Sequence, residues 1–159
     1  MLSEKEFLSA IREHEKIIWK VISMYQTNSG DREDLRQEIL LNAWKGSRNF
    51  RGEAKFSTWL YQVALNTAIT FYKKDLRQNA LREMQQQPDE QMDQPEMELL
   101  NKAINELSRV DKALVMLFLD DYSYAEIAVM MGITANNVAV KMNRIKSRLK
   151  QKALHDLNS

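Results

Sequence analysis

The chain has 159 residues, 44% hydrophobic and 28% charged, with 23 lysines and arginines against 22 aspartates and glutamates for a net charge of +1. That is enough apolar material for one domain or two small cores, and too even a charge balance for a protein that merely coats nucleic acid, so any basic surface must be segregated from an acidic one. Zero cysteines exclude disulfides, thiolate metal sites and a cysteine nucleophile; no apolar run approaches membrane-spanning length, and the opening MLSEKEF lacks the basic and apolar regions of a signal peptide, so a cytoplasmic location is expected.

With only four glycines and two prolines, the chain is expected to be nearly all helical. Ser3 followed by Glu6 has the form of a capping box. Phe7, Ile11, Ile18, Trp19, Ile22 and Tyr25 then supply the apolar stripe of one helix, which Asn28, Ser29 and Gly30 end. Asp31 is the expected cap of a second helix running to Gly46, with Leu35, Ile39, Leu40, Ala43 and Trp44 on one broad side, interrupted by Arg36. Asp34, Gln37, Glu38 and Leu41 share the opposite side. A solvated face explains three of these four; Leu41 among acids marks either a docking surface or one of the single exposed leucines that soluble proteins commonly carry.

The segment SRNFRGEAK mixes the cations Arg48, Arg51 and Lys55 with Asn49 and the aromatic Phe50. A third helix follows, with Phe56, Leu60, Ala64, Ala68 and Phe71 as its buried stripe and Thr58, Trp59, Gln62, Asn66, Thr70 and Lys73 on its other face. A tryptophan beside amides and a lysine suits single-stranded nucleic acid, where the indole stacks on a base, amides pair with base edges and the ammonium meets phosphate. Trp59 can equally complete the core, and residue chemistry alone leaves both readings open.

Residues 78–95, QNALREMQQQPDEQMDQP, are polar and glutamine-rich and hold both prolines, Pro88 and Pro95. They read as a linker, flexible or partly helical at its start, between an N-terminal domain of residues 1–77 and a C-terminal domain of residues 96–159. Leu99, Leu100, Ala103, Ile104 and Leu107 form the next helix stripe, and Leu114, Leu117 and Phe118 another. The stretch DYSYAEIAVMMGITANNVAVKMNRIKSRLK, residues 121–150, is then a helix-turn-helix: Ala128 is small where two helices must touch, Gly132 permits the left-handed turn and Val138 points into the angle between them. Its second helix buries Val138, Met142, Ile145 and Leu149. Asn136, Val140, Asn143, Arg144 and Ser147 face outward, Asn137 lies near that face, and Lys141, Lys146, Arg148 and Lys150 flank it. Asparagine can pair with adenine, arginine with guanine and Val140 with a thymine methyl, while the lysines hold phosphate; capping by Thr134, Asn136 or Asn137 accounts for at least one residue of the first turn.

DREDLRQEILLNAWKG, then NFRGEAKFSTWLYQVALNTAI, then a C-terminal helix-turn-helix resembles the sigma-seventy family of bacterial sigma factors, specifically the short extracytoplasmic-function group, over almost the whole chain and in family order. The resemblance implies an all-α protein of two small helical domains joined by a flexible linker, without the intermediate domain or the acidic N-terminal extension of housekeeping sigma factors. It implies core RNA polymerase as partner, through its β′ clamp coiled coil and its β subunit, with Asp34, Gln37, Glu38 and Leu41 on the docking helix. It assigns Arg48, Asn49, Phe50, Arg51 and Lys55 to a loop that captures a flipped base of the promoter minus-ten element, and Thr58, Trp59, Gln62, Asn66 and Lys73 to the helix that meets the opened strand. Asn136, Asn137, Val140, Lys141, Asn143, Arg144, Lys146 and Arg148 are expected at the minus-thirty-five element. Many relatives carry a lysine or arginine where Ala139 stands and a glycine-threonine pair at Asn136 and Asn137, so their promoter sequence does not transfer. An anti-sigma factor commonly accompanies such proteins, and nothing in the residues identifies one.

A rival of another class is a stand-alone helix-turn-helix regulator of duplex DNA. The Trp59 and Asn66 face and the FRGEAKF loop speak against it, since such a regulator needs neither. An enzyme is not expected: Asp34 and Glu38 form a carboxylate pair with no histidine, glycine-rich phosphate loop or metal-ligand cluster beside them, and no cofactor or metal is implied.

Overall fold

The computed structural model describes the backbone of residues 2–25, 28–83 and 95–157 and, within these, the side chains of all but 72–83, 95–98, 101, 156 and 157. Its described regular structure is helical throughout: α1 (Glu4–Glu13), α2 (Glu15–Tyr25), α3 (Ser29–Gly46), a 3-10 turn (Ser47–Asn49), α4 (Phe56–Glu83), α5 (Pro95–Asn105), α6 (Arg109–Leu119), α7 (Tyr124–Met131) and α8 (Ala135–Leu157).

The first expected helix is two. Ser3 caps α1 by accepting from the Glu6 amide, and His14 closes it, with Nδ1 donating to the Ala10 carbonyl at 2.9 Å. Hydrophobic periodicity passes through this break unchanged, because Ile11 and Ile18, seven residues apart, stay on one side and are both buried. The expected cap of α3 also moves: Asn28 accepts from the Gly30 amide, while Asp31 is buried inside the first turn. An asparagine is as good a cap as an aspartate, so composition could not separate them.

Helix α4 runs on to Glu83, past the expected domain limit at Arg77, and residues 84–94 of the expected linker lie outside the described residues. Leu60, Ala64 and Ala68 are buried as expected, and Phe56 and Phe71 half-buried. Against α3, buried Thr67 accepts from Asn42 Nδ2 at 3.0 Å and donates to the Val63 carbonyl at 2.7 Å, so its burial leaves no polar atom unmet. Tyr61 and Leu65, which the stripe omits, are also buried.

They are buried because α4 has a second neighbour, the C-terminal half. Tyr61 meets Tyr122 edge-on, their hydroxyls 3.3 Å apart, and Leu65 lies one turn further along the same side. Arg109 donates through Nη2 to the Ala68 carbonyl at 2.7 Å, and Tyr25 donates to the Arg109 carbonyl at 2.7 Å. Lys20 pairs with Asp120 at 2.7 Å, its ammonium 5.3 Å from the Tyr122 ring centre. Burial pushes the hydroxyls of Tyr25 and Tyr61 above the ordinary tyrosine range, so both stay protonated and able to donate.

In the C-terminal half, Ile104 and Leu107 are buried, but Leu99 and Leu100 are exposed and Phe118 borders on exposure, contrary to the expected stripes. On α5 the burial among the described side chains falls on Ile104, in its last turn, so the spacing of Leu99 and Leu100 overstates its buried length. The helix-turn-helix forms as expected. Ser123 and Glu126 make a reciprocal capping box at α7, which ends on Gly132 at φ +74°. Thr134 Oγ1 accepts from the Asn137 amide to start α8. Val138, Met142 and Ile145 are buried and Leu149 is half-buried against the core.

Gly132 is fixed twice over. Its left-handed backbone disfavours a β-carbon, and a β-carbon there would lie 2.6 Å from Nε2 of Gln62 on α4. Gly132→Ala is expected to cost roughly 1–2 kcal/mol from the backbone alone, and more through Gln62. Thermal unfolding should show the loss partly recovered when Gln62→Ala is added. An unchanged midpoint in Gly132→Ala, or no recovery in the double variant, would contradict the contact.

Candidate nucleic-acid interface

Three surfaces carry the chemistry. The first lies on α3, whose inward side is filled by Leu35, Ile39 and Ala43, leaving Asp34 and Gln37 exposed, Glu38 half-buried and Leu41 46% exposed. Leu41 is therefore a large apolar side chain open to water among acids. Arg36, which interrupts the apolar side, is held by Glu15 at 3.5 Å and Glu33 at 3.4 Å and lies 5.7 Å from the Trp19 ring centre. The cation thus covers an aromatic face while its charge is answered locally.

The second surface is a cavity of about 170 Å³ where the loop after α3 meets the start of α4, lined by Asn49, Phe50, Arg51, Glu53, Ala54 and Trp59. Gly52 turns the loop at φ +77°, a conformation that favours glycine. Phe50, Phe56 and Trp59 form an aromatic cluster: Phe50 lies 5.3 Å from Trp59 and 5.7 Å from Phe56 between ring centres, and Phe56 lies 5.4 Å from Trp59. His14 packs on Phe56 at 5.2 Å. Trp59 is half-buried: the indole packs in the cluster and also lines the cavity. The lining offers aromatic faces, an amide, a guanidinium and a carboxylate, the set needed to hold a flat heterocycle by stacking and by its edge. Glu53 and Ala54 escaped sequence reasoning, which looked for cations and aromatics in this loop; an acid there gave no signal until Gly52 turned it inward.

Thr58 and Gln62 are half-buried on α4, Asn66 and Thr70 are exposed, Arg48 and Lys55 are exposed in the loop, and Lys73 lies outside the described side chains. Gln62 faces Gly132, the turn of the helix-turn-helix. The Glu126 carboxyl of α7 lies below the usual range, chiefly through the Ser123 amide and hydroxyl, with a smaller pull from the Lys55 charge. Around Gln62 the α4 surface is therefore covered by the end of α7.

The third surface is the outer face of α8. Asn136, Asn137, Val140, Asn143, Arg144 and Ser147 are all exposed, as helical spacing from the buried residues requires. Val140 is 48% exposed. Thr134 is the capping side chain, which leaves Asn136 and Asn137 open for other partners. Arg148 and Lys150 are exposed and Lys141 half-buried. Lys146 is tied back: its ammonium donates to the Tyr124 hydroxyl at 3.2 Å and stands 4.6 Å from the Phe118 ring centre. Arrangement and composition match a helix presented to a major groove, with amides, a guanidinium and a methyl-bearing side chain in the middle and cations at the edges.

Described residues that are helical throughout, with acids and an open leucine on α3, an aromatic cavity after it and a C-terminal helix-turn-helix, form the class of protein that meets a partner protein and DNA. Residues 10–78 match the model of Sigma-70 region 2 and residues 97–149 that of Sigma-70, region 4. The chain belongs to the sigma-70 family, as an RNA polymerase-binding initiation factor of the extracytoplasmic-function type that directs the enzyme to promoters. It is 28% identical over 129 residues to the RNA polymerase sigma factor YlaC of Bacillus subtilis, covering 74% of this chain and 75% of that protein. It is 25% identical over 167 aligned positions to the ECF RNA polymerase sigma-E factor of Escherichia coli, covering 94% of this chain and 87% of the other. Among solved structures its fold is similar to CnrH in complex with the cytosolic domain of CnrY, at a TM-score of 0.64, 18% identity and coverage of 99% of this chain and 92% of that one. It is also similar to the sigma factor RpoE in complex with the anti-sigma factor NepR from Bartonella quintana, at a TM-score of 0.54, 20% identity and coverage of 94% and 95%. Among the described residues no helix is long and apolar enough to cross a membrane, and no group of three or more His, Cys, Asp or Glu is placed to hold a metal ion.

The contrast between Arg144 and Lys146 generates a prediction about base reading. Arg144→Ala should relax preference at one or two base pairs of the upstream element by about 1–3 kcal/mol of discrimination. Lys146→Ala, removing an ammonium at the flank, should weaken all sequences alike and lower the salt dependence by about one phosphate contact. Selection on randomised duplexes for each variant decides: uniform loss in both would make Arg144 a phosphate anchor only.

Proposed function

We propose that the three surfaces divide initiation among them. Asp34, Gln37, Glu38 and Leu41 dock on a basic and apolar coiled coil of core polymerase, the Phe50 and Trp59 cavity receives a base extruded from the minus-ten element, and the outer face of α8 reads the minus-thirty-five element. The observation that carries this reading is the 170 Å³ cavity, because its aromatic and polar lining belongs to a reader of single strands and not to a protein that acts on duplex alone. Flipping a base costs a few kcal/mol, and a pocket that holds it shifts the duplex toward the open state without fuel. The protein acts through binding, as a non-enzymatic factor in the cytoplasm. An anti-sigma partner is part of this proposal, supported by the NepR complex of a structurally similar sigma factor.

The two halves must also part. Elements named minus-ten and minus-thirty-five lie roughly 25 base pairs apart, about 85 Å at 3.4 Å per pair. An α4 whose Gln62 packs on Gly132 cannot serve both at once. The packed arrangement is therefore a resting state, and binding to polymerase and promoter separates the halves between α4 and α5.

Open-complex formation with core polymerase tests the cavity. Trp59→Ala should cost about 1–3 kcal/mol in melting while closed-complex binding is kept. Phe56→Ala is the control, since it breaks the same aromatic cluster without belonging to the described cavity lining. Permanganate reactivity of minus-ten thymines should fall in Trp59→Ala and hold in Phe56→Ala at equal thermal stability. Equal melting in both would leave Trp59 a core residue.

A further inference from the structure

The aromatic cavity after α3 also holds an acid. Gly52 turns the loop at φ +77°, with nothing within 4 Å of the place a β-carbon would take, and the residues on either side of it, Arg51 and Glu53, both line the cavity together with Asn49. All three side chains are exposed, and among the described residues none of them has a hydrogen-bond or ion-pair partner. The rings of Phe50 and Trp59 are therefore edged by a guanidinium, which only donates, a carboxylate, which only accepts, and an amide, which does both. Stacking on the rings is tolerant of sequence, because every base has a flat face. The polar edge discriminates.

Cytosine, adenine and guanine each carry an exocyclic amine on the edge that pairs, and each also has an acceptor on that edge. Thymine has no amine there. Its single donor, N3–H, lies between two carbonyl oxygens, so a carboxylate that approaches it meets O2 or O4 as well. We propose that Glu53 makes this cavity selective for an amine-bearing base and closed to thymine, its carboxylate accepting from the amine while Arg51 or Asn49 donates to the acceptor on the same edge. The inference rests on the reading of the cavity as a receptor for an extruded base. A carboxylate that gives up water to a base without an amine gains no bond in return, which excludes thymine more strongly than ring size or stacking does. The minus-ten element of this factor accordingly carries no thymine at the captured position.

Selection from a pool of randomised single-stranded DNA, with the full chain bound to core polymerase and the selection by core alone subtracted, tests this. One position of the strands bound by the wild type should be depleted of thymine roughly 10-fold. Glu53→Gln, whose amide donates as well as accepts, should bring thymine at that position up to parity with the other bases. Trp59→Ala should lose affinity for strands of every sequence. Thymine depletion that persists in Glu53→Gln, or no depleted position in the wild type while Trp59→Ala still weakens all strands, would overturn the selectivity and leave the cavity a base receptor. Equal binding of the pool by Trp59→Ala and the wild type would overturn the receptor itself, and the selectivity with it.

Discussion

Helix α4 has to bury two sides at once, and the rest of the molecule is arranged around that demand. One side carries Leu60, Ala64 and Thr67 into the N-terminal core; the other carries Tyr61, Leu65 and Ala68 against the C-terminal half. Burying a large apolar side chain contributes about 1.5–3 kcal/mol, so Tyr61 and Leu65 alone give the seam a stability that the Lys20–Asp120 pair, partly exposed on both partners, does not. The hydrogen bonds through Tyr25 and Arg109 fix the register of the contact, because a half-buried hydroxyl or guanidinium is costly when its partner moves away.

In the proposed division of surfaces the same helix also carries the nucleic-acid chemistry at its first turns, and the two uses conflict. Trp59 and the loop cavity remain accessible beside the seam, whereas Gln62 is taken up by the turn of the helix-turn-helix. A factor folded this way holds its strand-reading surface partly covered until something of greater affinity takes the place of α7. The acidic face of α3, with Leu41 open to water, is free of the seam and available for the first encounter. In the proposed scheme, docking there and opening between α4 and α5 are separable steps, so affinity for polymerase would offset the exposure of Tyr61 and Leu65 before it could favour DNA.

The fold class and most of the site were legible because they follow from periodicity and local chemistry. Gly132, Val138 and the outward Asn136, Asn143 and Arg144 follow from 3.6-residue spacing, and the α3 face follows from the same rule. The seam was not legible for the same reason. A helix buried on two sides has no single apolar stripe, so Tyr61 and Leu65 fell outside both of the faces assigned to it. The break at His14 preserves the phase of the stripe, and the exposure of Leu99 and Leu100 depends on how much of α5 finds a neighbour. Trp59 was left open between core and base, and the indole packs in the aromatic cluster while it also lines the cavity.

The central claim is that the halves are packed together in the free protein and separate on polymerase and promoter. The chain has no cysteine, so Ser23→Cys on α2 and Leu119→Cys on α6, exposed positions beside the Lys20–Asp120 pair that crosses the seam, take a pair of spin labels without background. Pulsed dipolar spectroscopy on the free protein should give one narrow, short distance, replaced by a distance longer by tens of ångströms once core polymerase and promoter are added. A broad, long distribution in the free protein, or a short distance that survives in the promoter complex, would contradict the account.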